Sequence, residues 1–97
     1  MSAACPVFGF EVVLHLVSGL SAEAAGALWD DFVTDPIEGR GLVCGGGTSA
    51  GRWSHVVHGE ASQATDADRE AVIAWAGSRP EIAAADVGPL VDVTSLV

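Results

Sequence analysis

Lysine is absent from these 97 residues, and the four cationic side chains, all arginines, face thirteen acidic ones. The resulting formal charge of −9 is repelled by bare phosphate backbones, because nucleic-acid binding needs cations that displace condensed counterions. Direct nucleic-acid contact is therefore not expected, whereas a protein, a basic surface or a second copy of the chain is. Long apolar runs are missing as well. The run Val12 to Val17 is interrupted by His15, and no run approaches the ~20 residues that cross a bilayer. The segment Met1-Ser2-Ala3-Ala4-Cys5-Pro6 has neither the basic nor the apolar region of a secretory signal, so the chain reads as cytoplasmic. Cysteine is scarce too. Cys5 and Cys44 cannot build a disulfide framework, and without CxxC spacing they read as reduced, small buried hydrophobes.

What is present describes one domain over residues 1–97. Hydrophobic residues make up 49%, in short alternating runs that argue against disorder. Gly9 to Val17 reads as a strand, with Phe10, Val12, Leu14 and Leu16 on one face and Glu11, Val13, His15 and Val17 on the other. Ser21 is a helix N-cap, and Ala25, Leu28, Trp29, Phe32 and Val33 form the buried stripe of the helix that follows. Pro36 marks its end. Arg40 to Gly45 is a second strand, Gly45 to Gly51 a glycine-rich hairpin link, and Arg52 to Glu60 a third strand. Thr65 and Asp68 have the spacing of a helix N-terminus. Val72, Ile73, Trp75 and Ala76 supply that helix's buried stripe, and Gly77 and Pro80 end it. Ile82 to Val93 is a last β segment, punctuated by Gly88-Pro89.

The order β-α-β-β-α-β predicts an α+β, ferredoxin-like fold: a four-stranded antiparallel sheet in the order 4-1-3-2 with both helices on one face. Pro89 suits the fourth strand, because proline cannot donate to a ladder and belongs at an edge.

Chemistry-bearing constellations are sparse. His55 and His58 are three apart on a strand and point to opposite faces, so they cannot share one metal ion. The glycine run lacks the G-K-[ST] ending of a phosphate loop and precedes a strand. No arrangement of nucleophile and base stands out, and neither metal nor cofactor is expected. RNA-binding domains of this topology stack bases on aromatics of strands one and three. Here strand three offers only Trp53, and alternation leaves open which face carries it.

Three stretches together resemble one family: Phe8-Gly9-Phe10-Glu11-Val12; Leu28-Trp29-Asp30-Asp31-Phe32-Val33 through Ile37-Glu38-Gly39-Arg40-Gly41-Leu42; and Thr65-Asp66-Ala67-Asp68-Arg69 through Val72-Ile73-Ala74-Trp75. Their order and spacing are similar to those of the YggL family of small bacterial proteins associated with the large ribosomal subunit, over about residues 5–93. The resemblance implies a non-enzymatic protein that binds the large subunit during its assembly. The acidic charge adds that contact is made with basic ribosomal proteins. The expected partner-binding residues are Glu11, Val13, His15, Trp53 and His55 on and beside the uncovered sheet face. Two alternatives stay open: a homodimer holding a small ligand, or an enzyme site, between sheet faces, and an acidic decoy occupying a basic nucleic-acid site.

Overall fold

The computed structural model describes residues 7–49, 51–59 and 63–94. Cys5, and Glu60 at the end of the expected third strand, lie outside the described residues. Five strands and two α-helices follow one another as β1 (Phe8–Leu16), α1 (Ala22–Phe32), β2 (Leu42–Ser49), β3 (Arg52–Gly59), α2 (Asp66–Gly77), β4 (Ile82–Val87) and β5 (Val91–Asp92). The fold is α+β with one antiparallel sheet, whose path runs β2-β3-β1-β4, and β5 also pairs with β1.

The expected four-stranded sheet is thus corrected to five strands. The last β segment breaks at Gly88-Pro89-Leu90, and its short remainder pairs Phe8 with Asp92 and Gly9 with Val91. Pro89 therefore lies in the break and not within the edge strand. Arg69 holds the break together: its guanidinium donates to the carbonyls of Gly88 (2.6 Å) and Val87 (3.4 Å). Gly88 itself donates to the Glu11 carbonyl at 2.8 Å, so β1 keeps a partner between β4 and β5.

Alternation in β1 becomes burial. Phe10, Val12 and Leu14 are fully buried, Glu11 is exposed, and Val13 and His15 are half-buried. Opposite the buried set stand Val57, His55 and Trp53 of β3. Both helices lie on this side, with Leu28 and Phe32 of α1 and Val72 and Ala76 of α2 in the same core. Each fully buried large apolar side chain contributes about 1.5–3 kcal/mol over its exposed state. An aromatic cluster ties the layers: Trp29 meets Trp53 edge-on at 5.5 Å and His55 at 4.9 Å, while Phe32 meets Trp75 of α2 at 5.3 Å. Ile73, expected in the buried stripe of α2, is 46% exposed, because the stripe runs through Val72, Trp75 and Ala76.

The helix ends follow local chemistry. The Ser21 hydroxyl accepts from Ala24 N at 3.1 Å. At α2, the Thr65 hydroxyl accepts from Asp68 N, and the Asp68 carboxylate accepts from Thr65 N at 2.8 Å, closing a capping box. Pro36 does not simply stop α1. It sits inside a five-residue π turn, Val33–Ile37, where its missing N–H goes unneeded, and a 3-10 turn, Glu38–Arg40, leads on to β2.

The expected antiparallel hairpin between β2 and β3 is present, but its link is shorter than expected, because Gly45-Gly46-Gly47 is strand. Gly46 pairs with His55 and Ser49 with Arg52, leaving two residues between the strands, and Gly51 takes a φ of 72° there. Gly46 is required where it stands. A Cβ there would collide with the Ser54 carbonyl and come within 2.8 Å of the His55 ring. The close approach of the neighbouring strand's backbone at Ser54 and His55, with the His55 ring beside it, explains this glycine, not turn flexibility.

Candidate functional site

Paired residues of neighbouring antiparallel strands point to the same face. The register therefore gathers the side of the sheet away from the helices: Glu11, Val13 and His15 from β1, Arg52, Ser54, Val56 and His58 from β3, and Ala84 and Asp86 from β4. The outer strand β2 adds only Val43, Gly45, Gly47 and Ser49. The surface is shallow because so many of its positions carry glycine, serine or alanine. Val13 and Val56 form its half-buried apolar middle, rimmed by Glu11, Arg52 and Asp86, which are exposed. His15 Nε2 lies 3.7 Å from the Asp86 carboxylate, the one cross-strand polar pair on the face among the described residues.

Of the five expected partner-binding residues, the structure brings together Glu11, Val13 and His15. Trp53 and His55 are placed apart from them. Both point to the helix side and are 5% exposed, beneath Trp29, so neither can touch a partner laid on the open face. The reason is register: Trp53 pairs with the buried Leu14 and His55 with the buried Val12. Sequence reasoning missed Arg52, Ser54, Val56 and His58, and the parity of β3 relative to β1 was the signal that would have found them. His55 and His58 do face opposite ways. His58 pairs with Gly9 and His15 with Arg52, so the two open-face histidines stand six positions apart along β1, about 20 Å. Among the described residues no group of three or more metal-binding side chains converges.

Electrostatics single out the arginines. Arg40 binds Asp68 at 2.7 Å, Arg69 binds Asp66 at 3.1 Å, and Arg79 binds Asp31 at 2.9 Å and Glu81 at 3.2 Å. Arg79 also lies over the Trp75 ring, 5.6 Å from its centroid. Among the described residues, Arg52 alone of the arginines has no ion pair, and Glu11, Glu23, Asp30, Asp35, Glu38 and Glu70 are exposed without a cationic partner. The exposed charge is therefore more one-signed than the composition, since three of four arginines are neutralised internally.

Two buried groups are perturbed. Burial pushes the Asp68 carboxyl upward, but the bond from Arg40, two bonds from Thr65 and the Arg40 charge outweigh it, so it titrates below its usual 3.8. Burial alone pulls His55 below 6.5, and neither of its ring nitrogens has a hydrogen-bond partner. The half-buried Cys44 thiol is pushed above 9.0 by burial and then by the charge of Glu38, which keeps it unreactive at neutral pH. No described helix is long and apolar enough to cross a membrane.

These features define a small acidic α+β domain with two helices on one side of a five-stranded sheet and, among the described residues, nothing laid over the other side. The chain belongs to the family described as YggL 50S ribosome-binding protein, which matches residues 5–94 of its 97. No curated relative and no solved structure matches it significantly.

Proposed function

We propose that this protein is a non-enzymatic factor of the cytoplasm that binds the large ribosomal subunit through basic ribosomal proteins, during assembly of that subunit. Membership of a 50S ribosome-binding family supports the target. One observation carries the mode of contact: Arg40, Arg69 and Arg79 are held in internal ion pairs, leaving Arg52 as the sole arginine without an ion pair among the described residues. A protein that grips RNA phosphates neutralises them with several free cations, and this surface offers one. The same surface attracts a basic protein and repels exposed rRNA. Glu11, Val13 and His15, joined by Val56 and Arg52, form the contact. Val13 and Val56 supply the apolar centre and Glu11 the charge that sets orientation.

Sedimentation of the protein with purified 50S subunits through a sucrose gradient tests this reading. The wild type should travel with the subunit at low salt and dissociate as ionic strength rises. Glu11→Arg combined with Val13→Asp should stay at the top of the gradient while keeping the wild-type circular dichroism. Undiminished co-sedimentation of the double variant would refute the open face as the contact. Equal binding to protein-free large-subunit rRNA would refute the protein-mediated mode.

A further inference from the structure

The two edges of the sheet are unequally protected. Natural sheets guard their edges with charges, prolines, bulges or short strands, because an unpaired edge is a template for another strand. The β4 edge has such guards. It is six residues long, carries Asp86, begins beside the Arg79–Glu81 ion pair with a register shift opposite His15 and Leu16, and stops at Gly88-Pro89. The β2 edge has none. Its eight residues, Leu42–Ser49, contain no charge and no proline, and pair with β3 in unbroken register. Half of its backbone groups point away from β3, with no side chain at Gly45, Gly46 or Gly47 to obstruct an approach.

Alongside this edge runs a groove that the core does not fill. Its main part, about 610 Å³, lies between Ala25 and Trp29 of α1 and Cys44, Gly46 and Thr48 of β2, with His55 in its wall. A smaller extension of about 250 Å³ continues past Trp29 and Cys44 to Leu42, Val33 and Glu38. The helix thus turns a second apolar stripe, Ala25, Trp29 and Val33, toward the edge, and none of the three is fully buried. His55 adds an independent observation: it is 5% exposed, and both ring nitrogens lack partners. A buried orphan of this kind costs about 1–3 kcal/mol and is retained at few sites in a native fold.

We infer that the free edge of β2 is a strand-addition site for an extended, cationic polypeptide segment, whose alternate side chains fill the groove beneath α1. Main-chain hydrogen bonds supply the attachment, and the groove selects the side chains. Charge decides the occupant. A second copy of the chain would bring −9 against −9, whereas a cationic segment is drawn to the net negative charge and to the exposed Glu38 carboxylate at the groove's end. The same net repulsion works against self-association through this eight-residue edge. This site is separate from the open face, and its test contains no ribosome.

The experiment is titration of the full chain, followed by backbone amide NMR, with a synthetic nine-residue peptide alternating valine or threonine with lysine. Two N-methylated versions, each blocked on one of the peptide's two edges, and a glutamate-for-lysine version complete the set. The parent peptide should shift amides of Val43 to Thr48 and slow their hydrogen exchange. One N-methylated version should bind at least about 10-fold more weakly while the other binds as the parent does. The glutamate version should also lose about 10-fold or more at low salt. Absence of binding, shifts centred on Glu11 to His15, equal tolerance of both methylated edges, or a dimer in sedimentation that buries β2 would each overturn the inference.

Discussion

The two faces of the sheet are made from the same strands by taking alternate residues, yet they obey different rules. On the helix side, Phe10, Val12, Leu14, Val57 and Trp53 are locked into a core with four of the chain's six aromatic residues clustered around His55. On the open side, Glu11, Val13, His15, Ser54 and Val56 touch little beyond their cross-strand neighbours. Stability therefore resides on one parity and availability for contact on the other. A substitution one position along β1 changes which of the two is lost.

Phe10→Ala should produce the largest effect, a destabilisation of about 3–5 kcal/mol in urea unfolding, because it empties a site with 0% exposure. Glu11→Ala, its immediate neighbour, should stay within about 0.5 kcal/mol. Comparable losses at both positions would abolish the distinction between the faces.

Asp68→Ala should cost about 2–3 kcal/mol, since it removes the capping box of α2 and leaves Arg40 without its 2.7 Å partner. Its pH signature is specific. Because the folded carboxyl titrates below 3.8, its contribution is complete above that value and is lost as pH falls through the lower folded value. The variant's acid unfolding limb should accordingly be shallower than that of the wild type.

His55→Leu should act in the opposite direction, raising stability by about 1 kcal/mol, because an unpartnered imidazole gives way to an apolar side chain of similar size. The folded imidazole is held below 6.5, so the unfolded chain binds the proton first, and wild-type stability declines as pH falls below 6.5. Loss of that decline in the variant, followed by thermal melts from pH 7 to 5, assigns it to His55. An unchanged profile would assign it elsewhere.

The smallest effect on folding should come from Val13→Thr, within about 0.5 kcal/mol on the half-buried open face. Its consequence should instead be weakened co-sedimentation with the 50S subunit. A stability loss with intact binding would reverse the roles assigned to the two faces.

Much of this arrangement was legible in the residues. The strict alternation of β1 forecast its two faces, Ser21 and the Thr65–Asp68 pair marked helix starts, and Glu11, Val13 and His15 were placed together. The face of Trp53 and His55 was not legible. In β3, Trp53-His55-Val57 and Ser54-Val56-His58 are about equally apolar, so periodicity had no preference until pairing with β1 imposed one. The glycine run misled for a related reason. Glycine permits a turn, but it also permits a strand where a neighbouring backbone comes close, and the Ser54 carbonyl is that neighbour. The broken last strand and its stapling by Arg69 depended on carbonyls that local sequence does not reveal as unpaired.

The sequence by itself determined the two helices, the order of the main β segments and the surplus of negative charge, because these follow from spacing, capping chemistry and composition along a few neighbouring residues. Only the tertiary structure decided which parity of β3 meets the helices, which edge lacks a guard, and which arginine remains unpaired. Those are relations between residues far apart in the chain, and the energy that selects them exists only once the strands are in register.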